Sequence, residues 1–232
     1  MTETQRLVIM DVGMTLIHPE LAILESYVID EIRKGGPAEL APPTAFECAA
    51  GLQLALEADD MPLPSAGSAV SKIGSLWAHY LQVPARLGIA ALRSLLVDNK
   101  LYTTVDGSAR AVLERLQSRG ITLVALSNND GGLEEELVRH GLRQYFDHTI
   151  DSSVLGVQKP NPATVELAMA MAGARPEETV MVGDGLVNDY LCGIAAGVRT
   201  CVLLDKYQCY SHLPARRVAD LQELLAIPSL LA

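Results

Sequence analysis

Positive charge is scarce in this sequence. Eighteen Lys and Arg stand against 28 Asp and Glu in 232 residues, for a net charge of −10, the wrong sign for binding nucleic acid through bulk electrostatics. Anionic lipid is disfavoured for the same reason. No apolar run approaches the ~18 residues of a membrane span. The opening Met1–Arg6 leads into a short apolar run closed by Asp11, which is not the pattern of a secretory signal. The four cysteines, Cys48, Cys192, Cys201 and Cys209, show neither C-x-x-C spacing nor histidine partners at zinc-finger spacing, so they read as small buried side chains in a reducing compartment. Internal repeats and low-complexity tracts are missing too. These exclusions leave the expectation of a cytoplasmic globular chain, 49% apolar and 20% charged, with material for one large domain or two small ones.

Short continuous apolar runs mark the ends of the chain. Leu7-Val8-Ile9-Met10 stops at Asp11, as a strand buried on both faces should. More than a hundred residues later the pattern returns in Ile121–Leu126, Val180–Val182 and Thr200–Leu204, with helical stripes between. Ser108 is placed to cap a helix carrying Val112, Leu113 and Leu116 and closed by Gly120. Asn161-Pro162 puts a cap and a first-turn proline before Val165, Ala168, Met169 and Ala172. The run Glu134-Glu135-Glu136, followed by Arg139, His140 and Gly141, reads as a helix with a solvated acidic face. Strands alternating with helices predict an α/β, Rossmann-like doubly wound parallel sheet, with ligands at the carboxyl ends of the strands.

Residues 17–100 differ. They are Ala- and Leu-rich helical stretches broken by Gly35-Gly36-Pro37, Pro42-Pro43, Pro62-Leu63-Pro64 and Pro84. We expect a roughly four-helix domain over 17–100, inserted into a core made of 1–16 and 101–232. Trp77, His79 and Tyr80 of its third helix are expected to pack rather than react.

Four short segments carry the chemistry, each expected at a strand end: Asp11-Val12-Gly13-Met14-Thr15-Leu16, Ser127-Asn128, Lys159-Pro160, and Gly183-Asp184-Gly185-Leu186-Val187-Asn188-Asp189. Asp11, Asp184 and Asp189 would repel one another at a sheet edge unless a hard cation sat among them, and an all-oxygen set suits Mg²⁺. A carboxylate can also attack phosphorus, dividing one hard step into two. Ser127 and backbone N–H groups can hold phosphoryl oxygens while Lys159 offsets the accumulated charge. A phosphate monoester thereby becomes a reasonable substrate for an acidic chain.

In these segments the sequence resembles the haloacid dehalogenase superfamily of hydrolases, over nearly the whole chain. The insertion resembles its alpha-helical cap, and Val105-Asp106-Gly107 its re-entry into the core. The resemblance implies Asp11 as nucleophile, with Thr15 and Lys159 also in the catalytic set. It further implies Ser127, Asn128 and Lys159 around the phosphoryl group. Asp11, the Gly13 carbonyl, Asp184 and Asp189 would stand at the magnesium.

One position departs from the pattern. Phosphatases of this superfamily usually carry a second aspartate two residues after the nucleophile, as acid toward the leaving group; here that residue is Gly13. General acids are worth ~10²–10⁴ in rate, so Gly13 predicts a phosphatase favouring good leaving groups, with His18 as a candidate stand-in. Three alternatives stay open at this point. A 2-haloacid dehalogenase needs no proton for halide but also no metal, and a phosphonate hydrolase would need a cap lysine, Lys34 or Lys72. A catalytically weak phosphate-binding regulator is the alternative of another class.

Overall fold

The computed structural model describes residues 6–58, 68–227 and 230. The break at Pro62-Leu63-Pro64 lies outside them. Among the described residues, eight strands run β1 (Leu7–Met10), β2 (Ile17–His18), β3 (Thr104–Val105), β4 (Thr122–Ser127), β5 (His148–Asp151), β6 (Thr179–Gly183), β7 (Thr200–Leu204) and β8 (Arg217–Val218). Helices α1 (Leu21–Gly35), α2 (Ala45–Glu57), α3 (Ala69–Tyr80) and α4 (Ala85–Val97) fall between β2 and β3. They are followed by α5 (Ala109–Gln117), α6 (Leu133–Arg139), α7 (Ser152–Leu155), α8 (Ala163–Ala172) and α9 (Cys192–Ala195).

Six strands make one sheet in the order β5-β4-β1-β6-β7-β8, all neighbours parallel. The fold is the expected α/β type. Its centre is β1, in which Leu7, Val8, Ile9 and Met10 are all fully buried, each burial stabilising by about 1.5–3 kcal/mol. Ile9 lies in register with Val124 on one side and Met181 on the other. These three join Leu126, Ile150 and Cys201 in a core cluster closed by Val165, Ala168 and Met169 of α8. The stripe read beside Asn161 is therefore a packing stripe, and Asn161 Oδ1 accepts from the Ala163 amide at 3.0 Å.

Ser108 behaves otherwise. It makes no cap hydrogen bond to α5; its hydroxyl donates to Asp106 at 2.7 Å and to Asp220 at 3.0 Å, because two carboxylates outcompete a backbone amide for it.

The chain divides into two compact units, Met1–Leu16 with Val105–Ala232, and Ile17–Thr104. The division falls a few residues later than position 100 because Thr103 donates to the His18 carbonyl at 3.1 Å and β3 pairs with β2. Within the helical unit, α2 starts on a capping box between Thr44 and Glu47. Trp77 is buried and donates to the Cys48 carbonyl at 2.9 Å. His79 and Tyr80 are exposed, so of that trio Trp77 alone is a core residue.

Helices α3 and α4 touch backbone to backbone. A Cβ on Gly88 would lie 2.4 Å from the Gly74 carbonyl oxygen and 2.7 Å from Ala78 Cβ. Gly88→Ala is therefore expected to cost about 2–3 kcal/mol, the upper part of the overpacking range, partly offset by about 1 kcal/mol of helix propensity. Thermal melting should show a drop of roughly 2–8 °C. An unchanged or raised Tm would mean that the two helices separate freely.

Candidate active site

The site is built at the carboxyl ends of β1, β4 and β6. Asp11 follows β1 directly, and its amide donates to Val182 of β6 at 2.9 Å. After a turn through Met14, whose φ of 59° is left-handed, Thr15 reaches across to the loop after β6. Its hydroxyl donates to Asp184 Oδ1 at 3.0 Å and accepts from the Asp184 amide at 3.1 Å. That reciprocal pair fixes one metal-candidate carboxylate by another segment of the motif set.

Lys159 is the charged centre. Its side chain is 2% exposed, and Nζ donates to Asp11 Oδ1 at 2.6 Å and to Asp189 Oδ1 at 2.7 Å. Burial alone would lower its pKa, but the two carboxylates prevail and raise it, so the ammonium keeps its charge. Asp189 is pulled both ways, upward by burial and downward by Lys159, with burial the larger influence. Asn128 holds the lysine in place: its Oδ1 accepts from the Lys159 amide and its Nδ2 donates to the Lys159 carbonyl, both at 2.9 Å. These bonds make Asn128, expected beside the phosphoryl group, an anchor of Lys159 as well. Ser127, the last residue of β4, is 6% exposed.

Asp189 sits in a π-helical turn, Leu186–Leu191, where Tyr190 donates to the Gly185 carbonyl at 3.0 Å. Asp189 Oδ2 accepts from the Gly185 amide at 2.8 Å. Its carboxylate lies over Gly183, where a Cβ would come within 2.2 Å of it. Only glycine fits there, a requirement the pattern Gly183-Asp184 hinted at without explaining.

One carboxylate oxygen from each of Asp11, Asp184 and Asp189 lies within 4.8 Å of the others. Asp11 Oδ2 is buried and accepts no hydrogen bond, an expensive state for an anionic oxygen unless a cation or an electrophile takes it up. The donor set is all oxygen and strongly acidic, so it fits a hard divalent ion. The four segments singled out from sequence are thus brought together, with Gly13 half-buried beside Asp11. His18 is buried in β2, within the helical unit.

Three contributions escaped sequence reading. Lys206 pairs with Asp106 just beyond the chain's re-entry into the core. Tyr207, 4% exposed, has its phenol pushed up to about 12 by burial, with the Asp184 and Asp106 charges adding. Glu136 is half-buried rather than solvated, and its Oε2 accepts from Asn129 Nδ2 at 3.0 Å. Its place between Leu133 and Leu137, the two buried residues of α6, was the available signal.

A parallel α/β core with a lysine-bridged carboxylate cluster at its strand ends defines a class of hydrolase, and comparison with known proteins agrees. Residues 6–197 match the family model described as haloacid dehalogenase-like hydrolase. The chain belongs to that family and is a hydrolase of it. Among curated relatives, the pyrimidine 5'-nucleotidase of Escherichia coli is 33% identical over 64% of this chain and 66% of its own length. The phosphoserine phosphatase of Thermus thermophilus is 34% identical over 53% of this chain and 50% of its own. The chain thus spans between half and two thirds of these two relatives. Among solved structures, a Bacillus subtilis family hydrolase determined with bound magnesium has a TM-score of 0.64 at 17% identity, covering 97% of this chain and 99% of the other. An L-2-haloacid dehalogenase has a TM-score of 0.65 at 19% identity, covering 99% and 100%. At these identities the structural likenesses establish the fold.

Proposed function

We propose that the chain is a magnesium-dependent phosphatase that hydrolyses small phosphomonoesters through an aspartyl-phosphate on Asp11. The observation that carries this reading is the buried Asp11 carboxylate, one oxygen held by Lys159 and the other without a donor, within reach of Asp184 and Asp189. Asp11, the Gly13 carbonyl, Asp184 and Asp189 would hold the ion, which when bound supplies charge stabilisation at the phosphoryl oxygens. An Asp11 oxygen attacks phosphorus; Ser127 and adjacent backbone amides hold the phosphoryl group; Lys159 offsets the charge of carboxylate and phosphate together. Water then hydrolyses the aspartyl-phosphate. Gly13 offers no proton, so aryl and acyl phosphates are preferred over alkyl phosphates.

Substrate choice is assigned to the helical unit, Ile17–Thr104, as a cap. Lys34 there is paired with Glu31 at 2.7 Å on the surface, which disfavours a covalent role in phosphonate cleavage. Asp184, held by Thr15, gives the metal-dependent reading a residue that metal-free dehalogenation does not use. No helix among the described residues is long and apolar enough to cross a membrane. All four cysteines are unbridged, and burial pushes Cys48 and Cys201 up to about 12, which supports a reducing, cytoplasmic setting.

The test is a substrate panel of p-nitrophenyl phosphate, acetyl phosphate, sugar phosphates and 2-chloropropionate, each assayed with Mg²⁺ and with chelator. The ion contributes several kcal/mol, so chelation should lower phosphate release by roughly a hundredfold or more. Metal-independent chloride release would replace the reading with dehalogenation, and silence across the panel would favour a non-catalytic protein.

A further inference from the structure

One carboxylate joins the two segments that bring Ser127 and Lys159 to the site. Asp151 ends β5 and lies in register with Ser127, the last residue of β4. It is half-buried, and its two oxygens face opposite ways along the chain. Oδ2 accepts from the amides of Gly131 at 3.0 Å and Leu133 at 3.2 Å, in the loop that follows Ser127. Oδ1 accepts from the amide of Ser153 at 3.0 Å and from its hydroxyl at 2.9 Å, in α7, the helix that precedes Lys159. Gly131 presents its amide from a φ of 104°, a conformation that glycine adopts at little cost.

A second tie closes the other end of the same two segments. Asn128 accepts from the Lys159 amide and donates to the Lys159 carbonyl, both at 2.9 Å. Lys159 therefore keeps an anchor of its own, and its 2.6 Å contact with Asp11 does not depend on Asp151. What depends on Asp151 is the course of the loop beyond Ser127.

We infer that Asp151 is a positioning residue for phosphoryl binding: by clamping Gly131 and Leu133 it holds the loop after Ser127 so that the loop's donors converge on the phosphoryl oxygens, an inference that rests on the phosphatase reading above. Asp151 itself touches no substrate in this scheme. A carboxylate is what the position requires, because each oxygen faces donors only. Asparagine matches one side: with its carbonyl toward Gly131 and Leu133 it keeps the clamp, and its NH₂ faces a Ser153 hydroxyl that can rotate to accept. Serine matches the other side, since its hydroxyl is a good helix cap for α7 and is too short to serve the loop amides as well. The phosphoryl group is anionic both before and during transfer, so a donor lost from the loop weakens binding throughout and shows in KM more than in kcat.

The experiment compares wild type, Asp151→Ser and Asp151→Asn on p-nitrophenyl phosphate with Mg²⁺, measuring kcat, KM and the inhibition constant of inorganic phosphate, with circular dichroism to confirm folding. Asp151→Ser should raise KM and the phosphate inhibition constant roughly tenfold, the value of about one hydrogen bond to a charged group, with kcat within about threefold of wild type. Asp151→Asn should restore most of the loss, leaving both constants within about threefold of wild type. Wild-type KM and phosphate inhibition in Asp151→Ser, equal increases in the two variants, or a loss confined to kcat would each overturn the inference and leave Asp151 as a cap of α7. A wild type that releases no phosphate would overturn the phosphatase reading and this inference together.

Discussion

Asp11→Asn is expected to abolish phosphate release while the protein melts no earlier than wild type. The first half follows because an amide is a poor nucleophile toward phosphorus, so the covalent route closes; a loss of about four orders of magnitude or more is expected. The second half follows from the charge of the cluster. Lys159 touches two carboxylates, Asp11 and Asp189, at 2.6 and 2.7 Å, so the buried trio carries a net negative charge before Asp184 is counted. Replacing one carboxylate by its neutral isostere leaves a balanced Lys159–Asp189 pair and relieves repulsion. Phosphate release and thermal melting in chelator check both halves. Retained turnover would remove Asp11 from the chemistry.

Lys159→Met has the opposite balance. Two nearly fully buried carboxylates lose their common cation, and breaking such a pair from one side costs about 3–5 kcal/mol, a fall in Tm of roughly 10 °C or more for a chain of this size. Turnover should drop at least a hundredfold, since the charge offset during transfer is lost. Mg²⁺ should then raise the Tm of Lys159→Met more than that of wild type, because the ion is the remaining source of positive charge. Equal stabilisation of the two proteins would mean that the carboxylates do not share a cation.

Much of this was legible in the sequence, for one reason: strands buried on both faces are continuous apolar runs, and a functional residue at a strand end interrupts such a run visibly. Leu7–Met10 with Asp11, and Thr179–Gly183 with Asp184, are plain examples. Strand β5 escaped because only Ile150 of its four residues is buried, so no run announces an edge strand. The anchoring of Lys159 by Asn128 went unread, since an amide that pins a backbone thirty-one residues away leaves no local trace. Glu136 was lost in a run of three glutamates, two of them solvated; charge patterning sees the run, and only packing separates its members.

The central position of β1 has a bearing on biosynthesis. The strand that leads into Asp11 leaves the ribosome before its neighbours β4 and β6, which are drawn from far along the chain, so closing the sheet means closing two very long loops. A nascent chain that stops short of Thr179 leaves one edge of β1 open and lacks Asp184 and Asp189 altogether. The charged cluster is thus completed late, after the residues of α1 to α4 have long been available to form local contacts. Truncated or stalled products would expose an apolar strand edge while holding a nucleophile without its carboxylate neighbours Asp184 and Asp189.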